Sequence, residues 1–197
     1  VKTIQRLWAA FALLLVAAVP LAAQAQERTA IPSGPWLHEP SGTTFPDQIG
    51  GASRGNTATT FDEAGIDVAV GYSLKNDDGV LILTLYVYPP YGGLDCAESF
   101  SDAQVSINKY RGVRKLSQGS APSPSGKSMH AATHARYAIP AGGMNPNYPA
   151  LVSDLYVHCS PGDEWLVKYR ASWTGSEETF PDVFAMLREI DWPEKLK

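Results

Sequence analysis

Between residues 66 and 74 the large apolar side chains fall at Val68, Val70, Tyr72 and Leu74, with Ala69, Gly71 and Ser73 between them. That period of two is the signature of a strand with one buried face. The return stretch, Val80 to Tyr88, places Leu81, Leu83, Leu85 and Val87 on one side and Ile82, Thr84, Tyr86 and Tyr88 on the other. Both sides are apolar enough for a central strand. Asn76-Asp77-Asp78-Gly79 lies between the two runs and predicts a hairpin.

Pro89-Pro90 ends the second strand, and Tyr91-Gly92-Gly93 makes a turn. Asp95 and Glu98 then stand at capping-box spacing, with Asp in the Ser/Thr position. Ala97, Phe100, Ala103, Ile107 and Tyr110 recur at helical spacing, so Phe100 and Ile107 should face a sheet. A short strand is expected at Val113–Gln118. A longer one covers Ser128–Ile139, with Met129, Ala131, Thr133, Ala135, Tyr137 and Ile139 alternating against polar neighbours. Leu151–Cys159 and Glu164–Thr174 read as two more strands around Pro161-Gly162-Asp163.

Matching the rows Leu155, Val157, Cys159 and Trp165, Val167, Tyr169 requires an odd-length loop, because a one-residue slip turns a whole strand over. A three-residue loop would pair Cys159 with Trp165, Val157 with Val167 and Asp154 with Arg170. Phe180, Val183, Phe184, Leu187 and Ile190 form the stripe of a last helix, stopped by Pro193. Before the first hairpin, the sequence predicts a loose leader over residues 26–40, a short strand at Thr43–Phe45 and a loop to Gly55.

Strands, helix, strands and helix joined by hairpins predict an α+β fold, an antiparallel sheet with about two main helices packed against it. The short first strand, the hairpin GYSLKNDDGVLILTLYVYP, the amphipathic helix, the strand DEWLVKYRASW and the last helix EETFPDVFAMLREIDWP resemble the PsbP-like fold from about Ser41 to Pro193. The resemblance is one of element order. It implies a small exported or lumenal domain that acts by binding or as an accessory subunit, and it assigns no functional residue.

The N-terminus has a different pattern. Lys2 and Arg6 precede an almost unbroken apolar stretch from Trp8 to Ala23, and Ala23-Gln24-Ala25 supplies small residues before Gln26. These are the three parts of a secretory signal peptide over residues 1–25, cleaved between Ala25 and Gln26. The expected address is periplasmic or extracellular, with no membrane anchor after cleavage, and residues 41–197 form a single domain. Cleavage would leave 14 basic and 20 acidic residues. Such a balance argues against nucleic acid as a partner. In an oxidising compartment, Cys96 and Cys159 are expected to form a disulfide.

No catalytic constellation emerges. Residues 121–128 fit a relaxed phosphate-loop pattern, but Pro122 and Pro124 remove backbone donors and a strand follows, not a helix. His130 and His134 lie about 13 Å apart along a strand, too far to share one ion. No cofactor is implied. The richest cluster is the polar sheet face, where alternation gathers Tyr86 and Tyr88, His134 and Arg136, Asp154, Tyr156 and His158, and Lys168 and Arg170. Aromatics mixed with cations suit an acidic or sugar-like ligand. The sequence therefore predicts an exported, non-catalytic binding or accessory domain whose partner is an envelope protein or small ligand. An envelope hydrolase with an unrecognised Ser/His or metal site and a structural periplasmic protein are the alternatives.

Overall fold

The computed structural model describes residues 26–197. The signal sequence expected at residues 1–25 lies outside them. The fold is α+β, a nine-stranded antiparallel sheet with two helices against it. In chain order its strands are β1 (Glu27–Ala30), β4 (Gln48–Ile49), β5 (Ala52–Thr60), β6 (Val68–Asn76), β7 (Gly79–Tyr88), β8 (Arg114–Ala121), β9 (Ala132–Ile139), β10 (Leu151–Cys159) and β11 (Leu166–Trp173). Between β1 and β4, β2 (Trp36–His38) and β3 (Thr43–Phe45) make a separate hairpin. The helices are α1 (Cys96–Asn108) and α2 (Val183–Leu187). Across the sheet the order is β1-β5-β6-β7-β11-β10-β9-β8, with β4 also on β5.

Face one carries Val70, Tyr72, Leu83, Leu85, Tyr169, Ala171 and Trp173 and is roofed by α2 together with Phe45, Ile190 and Trp192. Face two carries Leu155, Val157, Leu166, Ala135 and Tyr137, against which α1 lays Phe100 and Ile107, as the helical spacing predicts. The Asp95 capping box is present on both sides: its carboxylate accepts from the Glu98 backbone N–H, and the Glu98 side chain accepts from the Asp95 N–H. Cys96 and Cys159 form the expected disulfide, with Cα atoms 5.8 Å apart, and tie the start of α1 to the end of β10.

Several expectations are corrected. The leader expected over residues 26–40, tied down by Trp36 and Leu37, contains strand structure: β1 pairs with β5 along Glu27↔Thr60 to Ala30↔Thr57, and Trp36 stacks on Phe45. Residues 52–60, expected to be partly loop, are a nine-residue strand. Met129 lies exposed in the turn before β9, outside the strand expected to include it. The last helix is only five residues long, begun by the Asp182 cap.

The main correction concerns register. Six residues, Ser160 to Trp165, separate β10 from β11, so Cys159 pairs with Leu166, Val157 with Lys168 and Leu155 with Arg170. The expected partners Val167 and Tyr169 instead face His158 and Tyr156. Ser160 closes this connection, its backbone N–H donating to the Trp165 carbonyl and its hydroxyl accepting from the Trp165 N–H.

Candidate functional site

The register correction divides the predicted polar face between both sides of the sheet. His134, Arg136, Asp154, Tyr156 and His158 lie on face one. Tyr86, Tyr88, Lys168 and Arg170 lie on face two. Asp154 and Arg170 are therefore not cross-strand neighbours.

On face one the polar residues form a packed network. Asp154 is only 2% exposed and accepts two hydrogen bonds from Arg136, at 2.7 and 2.9 Å. His134 Nε2 lies 3.0 Å from the same carboxylate. Burial alone would raise the Asp154 pKa, but the Arg136 and His134 contacts outweigh it and hold the carboxyl below its ordinary value. Phe180 covers the Arg136 guanidinium, and Phe184 meets His134, Tyr156 and Tyr169 edge-on. The Tyr156 hydroxyl donates to the Pro122 carbonyl, and His158 Nδ1 lies 2.9 Å from the Ala131 carbonyl. These groups hold strands and α2 together. The guanidinium already occupies the place a cation would take on Asp154, and no cluster of three or more His, Cys, Asp or Glu side chains is placed for a metal among the described residues.

Two Ser–His contacts exist. His38 Nδ1 is 2.8 Å from Ser41 Oγ, but Ser41 is fully buried and the other ring nitrogen meets the Gly65 carbonyl. Ser120 Oγ meets His130 Nδ1 at 3.0 Å on the exposed β8–β9 connection. Residues 121–128 make a turn in which Gly126 N–H donates to the Ser123 carbonyl.

Face two is different in kind, because α1 covers only the part built by β9, β10 and β11. Where its margin meets β7, a cavity of about 300 Å³ opens, lined by Phe61, Asp67, Tyr86, Tyr88, Tyr91, Asp102 and Lys168. Three of these residues belong to the face predicted from sequence. Tyr86 and Lys168 are direct cross-strand partners, and Tyr88 follows on the same side of β7. The Lys168 ammonium lies 4.2 Å from the Tyr86 ring centre and 5.2 Å from that of Tyr88. Among the described residues it has no carboxylate within salt-bridge distance. Burial pulls the Lys168 pKa below its ordinary value, opposed by the charges of Asp67 and Asp102.

Asp67, at the start of β6, is 6% exposed. One carboxylate oxygen accepts from the Tyr91 hydroxyl, while the other is buried and has no hydrogen-bond partner among the described residues. Burial pushes this carboxyl above its ordinary pKa, against the pull of the Tyr91 bond and of Lys168. Tyr91 itself stacks on Tyr88 at 5.7 Å, leaning from the turn that α1 follows. Phe61, Asp67, Tyr91 and Asp102 have no spacing that marks them: the first three are single residues at a strand end or turn, and Asp102 is one of several polar residues on the exposed side of α1. Arg170, the remaining predicted residue on this face, donates to the Tyr110 hydroxyl at 3.1 Å and lies over its ring, bracing the end of α1.

No protein-family model matches the chain, and no curated protein matches it in sequence. Among solved structures, the Ran-binding protein Mog1p of Saccharomyces cerevisiae is similar over 86% of this chain and 96% of its own, with a TM-score of 0.44 and 9% identity.

Proposed function

We propose that this protein is an exported binding module that holds a small polar ligand in the face-two cavity. One observation carries the reading: Lys168, with no carboxylate within salt-bridge distance among the described residues, lines one tyrosine-walled cavity together with Asp67 and Asp102. A half-buried ammonium without an acceptor costs stability, so a ligand that supplies one recovers part of that loss. A concave site with aromatic walls and a few convergent polar groups is the ordinary form of a small-molecule site. Export is supported by the signal-peptide pattern and by the Cys96–Cys159 disulfide, a bond that persists in oxidising compartments. Among the described residues no helix is long and apolar enough to cross a membrane. The PsbP-like element order supports a binding role as well.

The test is retention of small molecules from envelope extract by immobilised mature protein, read by mass spectrometry. The wild type should retain a species that a Tyr86→Ala/Lys168→Ala variant of unchanged circular dichroism does not. Identical profiles from the two proteins would remove the site.

A further inference from the structure

Beside the cavity, on the same sheet face, lies an open trough; the two share no lining residue but meet at the cross-strand pair Ala69 and Tyr86. Across the strands, Thr59 pairs with Ala69, Ala69 with Tyr86, and Tyr86 with Lys168. The next row on that face runs from Gly71 to Thr84 to Arg170, and the one after from Ser53 through Ser73 and Ile82 to Ser172. The trough encloses about 400 Å³ over Thr57, Thr59, Gly71, Ser73, Ile82 and Thr84. Gly71 has no atom within 4 Å of where a Cβ would stand, and Ile82 is 51% exposed. Tyr86 therefore stands between a charged, aromatic notch and a floor of hydroxyls, glycines and apolar side chains in which Arg28 is the charged group.

We propose that notch and trough together bind one linear, neutral glycan, with a terminal sugar in the notch and the following sugars along the trough. The proposal rests on the binding-module reading and narrows its ligand class. Neighbouring sugar hydroxyls each donate and accept, so one can accept from Lys168 while the next donates to the exposed Asp102 carboxylate on the same cavity. A purely cationic ligand satisfies Asp102 but meets the Lys168 charge; a purely anionic one satisfies Lys168 but meets Asp67 and Asp102. A zwitterion satisfies both but has no use for the trough, whose only charged lining group is Arg28. An extended peptide gains little there either: paired strands spend their N–H and C=O groups on each other, leaving a sheet face few main-chain bonds to offer. The pyranose C–H face can lie on the exposed Tyr91 ring, and the floor residues Thr57, Thr59, Ser73 and Thr84 line the trough beyond.

Oxidised mature protein is titrated by calorimetry and by tyrosine fluorescence. The probes are cellotetraose, maltotetraose, chitotetraose and their monosaccharides, with glycine, tetramethylammonium and inorganic phosphate alongside. At least one tetrasaccharide should bind, more than tenfold tighter than its monosaccharide. Asp102→Asn and Lys168→Met should each weaken it more than tenfold. Gly71→Val, which fills the trough at a position with room for a side chain, should return the tetrasaccharide to monosaccharide affinity with the thermal midpoint kept. A tetrasaccharide no tighter than its monosaccharide, or one unaffected by Gly71→Val, overturns the trough. Binding of glycine, tetramethylammonium or phosphate but no saccharide, lost in Lys168→Met, overturns the glycan and leaves the binding module standing. Silence from every probe, together with identical extract profiles, overturns both.

Discussion

Asp67 and Asp154 are two nearly buried carboxyls on opposite faces of one sheet, and their surroundings drive them in opposite directions. Asp154 is depressed by Arg136 and His134, so it adds stability at pH values above the unfolded carboxyl pKa, about 3.9, and loses that contribution as pH falls through its lower folded value. Asp67 is raised by burial, so its contribution is intact below about pH 3.9 and is lost as pH climbs through its higher folded value. At pH 7 the two substitutions should therefore act with opposite sign. Asp67→Asn should raise the thermal midpoint, with the gain shrinking toward zero near pH 3.5. Asp154→Ala should remove roughly 3 kcal/mol, because it leaves the partly buried Arg136 with only its 3.6 Å contact to the half-exposed Glu177. Urea unfolding of both variants at several pH values measures this. A destabilising Asp67→Asn at pH 7 would mean that the carboxylate's interactions, the Tyr91 bond included, outweigh the burial of its charge.

At the scale of elements, α1 is fixed at both ends and in the middle. The capping box and disulfide hold its start, Gln104 donates to the Tyr137 hydroxyl at 2.7 Å, and Arg170 grips Tyr110 just beyond its end. The cysteines lie 63 residues apart, and a loop of that size is worth about 4 kcal/mol on the chain-entropy account. Cys96→Ser/Cys159→Ser should lose a comparable amount in urea unfolding, and hydrogen exchange should quicken first in residues 89–100, which carry Tyr91. Uniform exchange across the sheet would contradict this role. These anchors also show which elements the sequence makes legible. The β6–β7 hairpin could be read because Ala69, Gly71 and Ser73 mark one side of β6 as different from the other. β10 could not be turned correctly: Leu155 and Val157 are buried beneath α1, while Tyr156 and His158 are buried beneath α2, so alternation gives no preference. That ambiguity merged two faces into one expected site. The strand β5 was hidden because only the small residues Ala52 and Ala58 bury in it. Tyr86, Tyr88 and Lys168 were correctly grouped because β7 and β11 each keep a distinct apolar row, Leu81 to Val87 and Val167 to Trp173.

On the scale of the whole molecule, one sheet carries two unequal coverings, and the difference separates stability from recognition. Face one is closed by α2 and the segments around it, so its histidine, arginine and aspartate are spent on one another. Among the described residues face two is closed by α1, which leaves β5, β6 and β7 to present polar groups beyond its margin. The disulfide that positions α1 needs an oxidising environment to form, so the architecture and the proposed address depend on each other. The edge strand sharpens the test. β1 begins at Glu27, so cleavage after Ala25 spares all four of its pairs with β5, whereas cleavage a few residues later would strip the edge. Protein recovered from the periplasm or medium of an expressing bacterium should therefore give an intact mass that begins at Gln26, with two hydrogens fewer than the dithiol. Loss of β1 from the mature species, or two thiols open to alkylation, would contradict it. A mass retaining residues 1–25 would instead show that Lys2, Arg6 and the apolar run from Trp8 to Ala23 serve as an anchor, with the module tethered at its β1 edge.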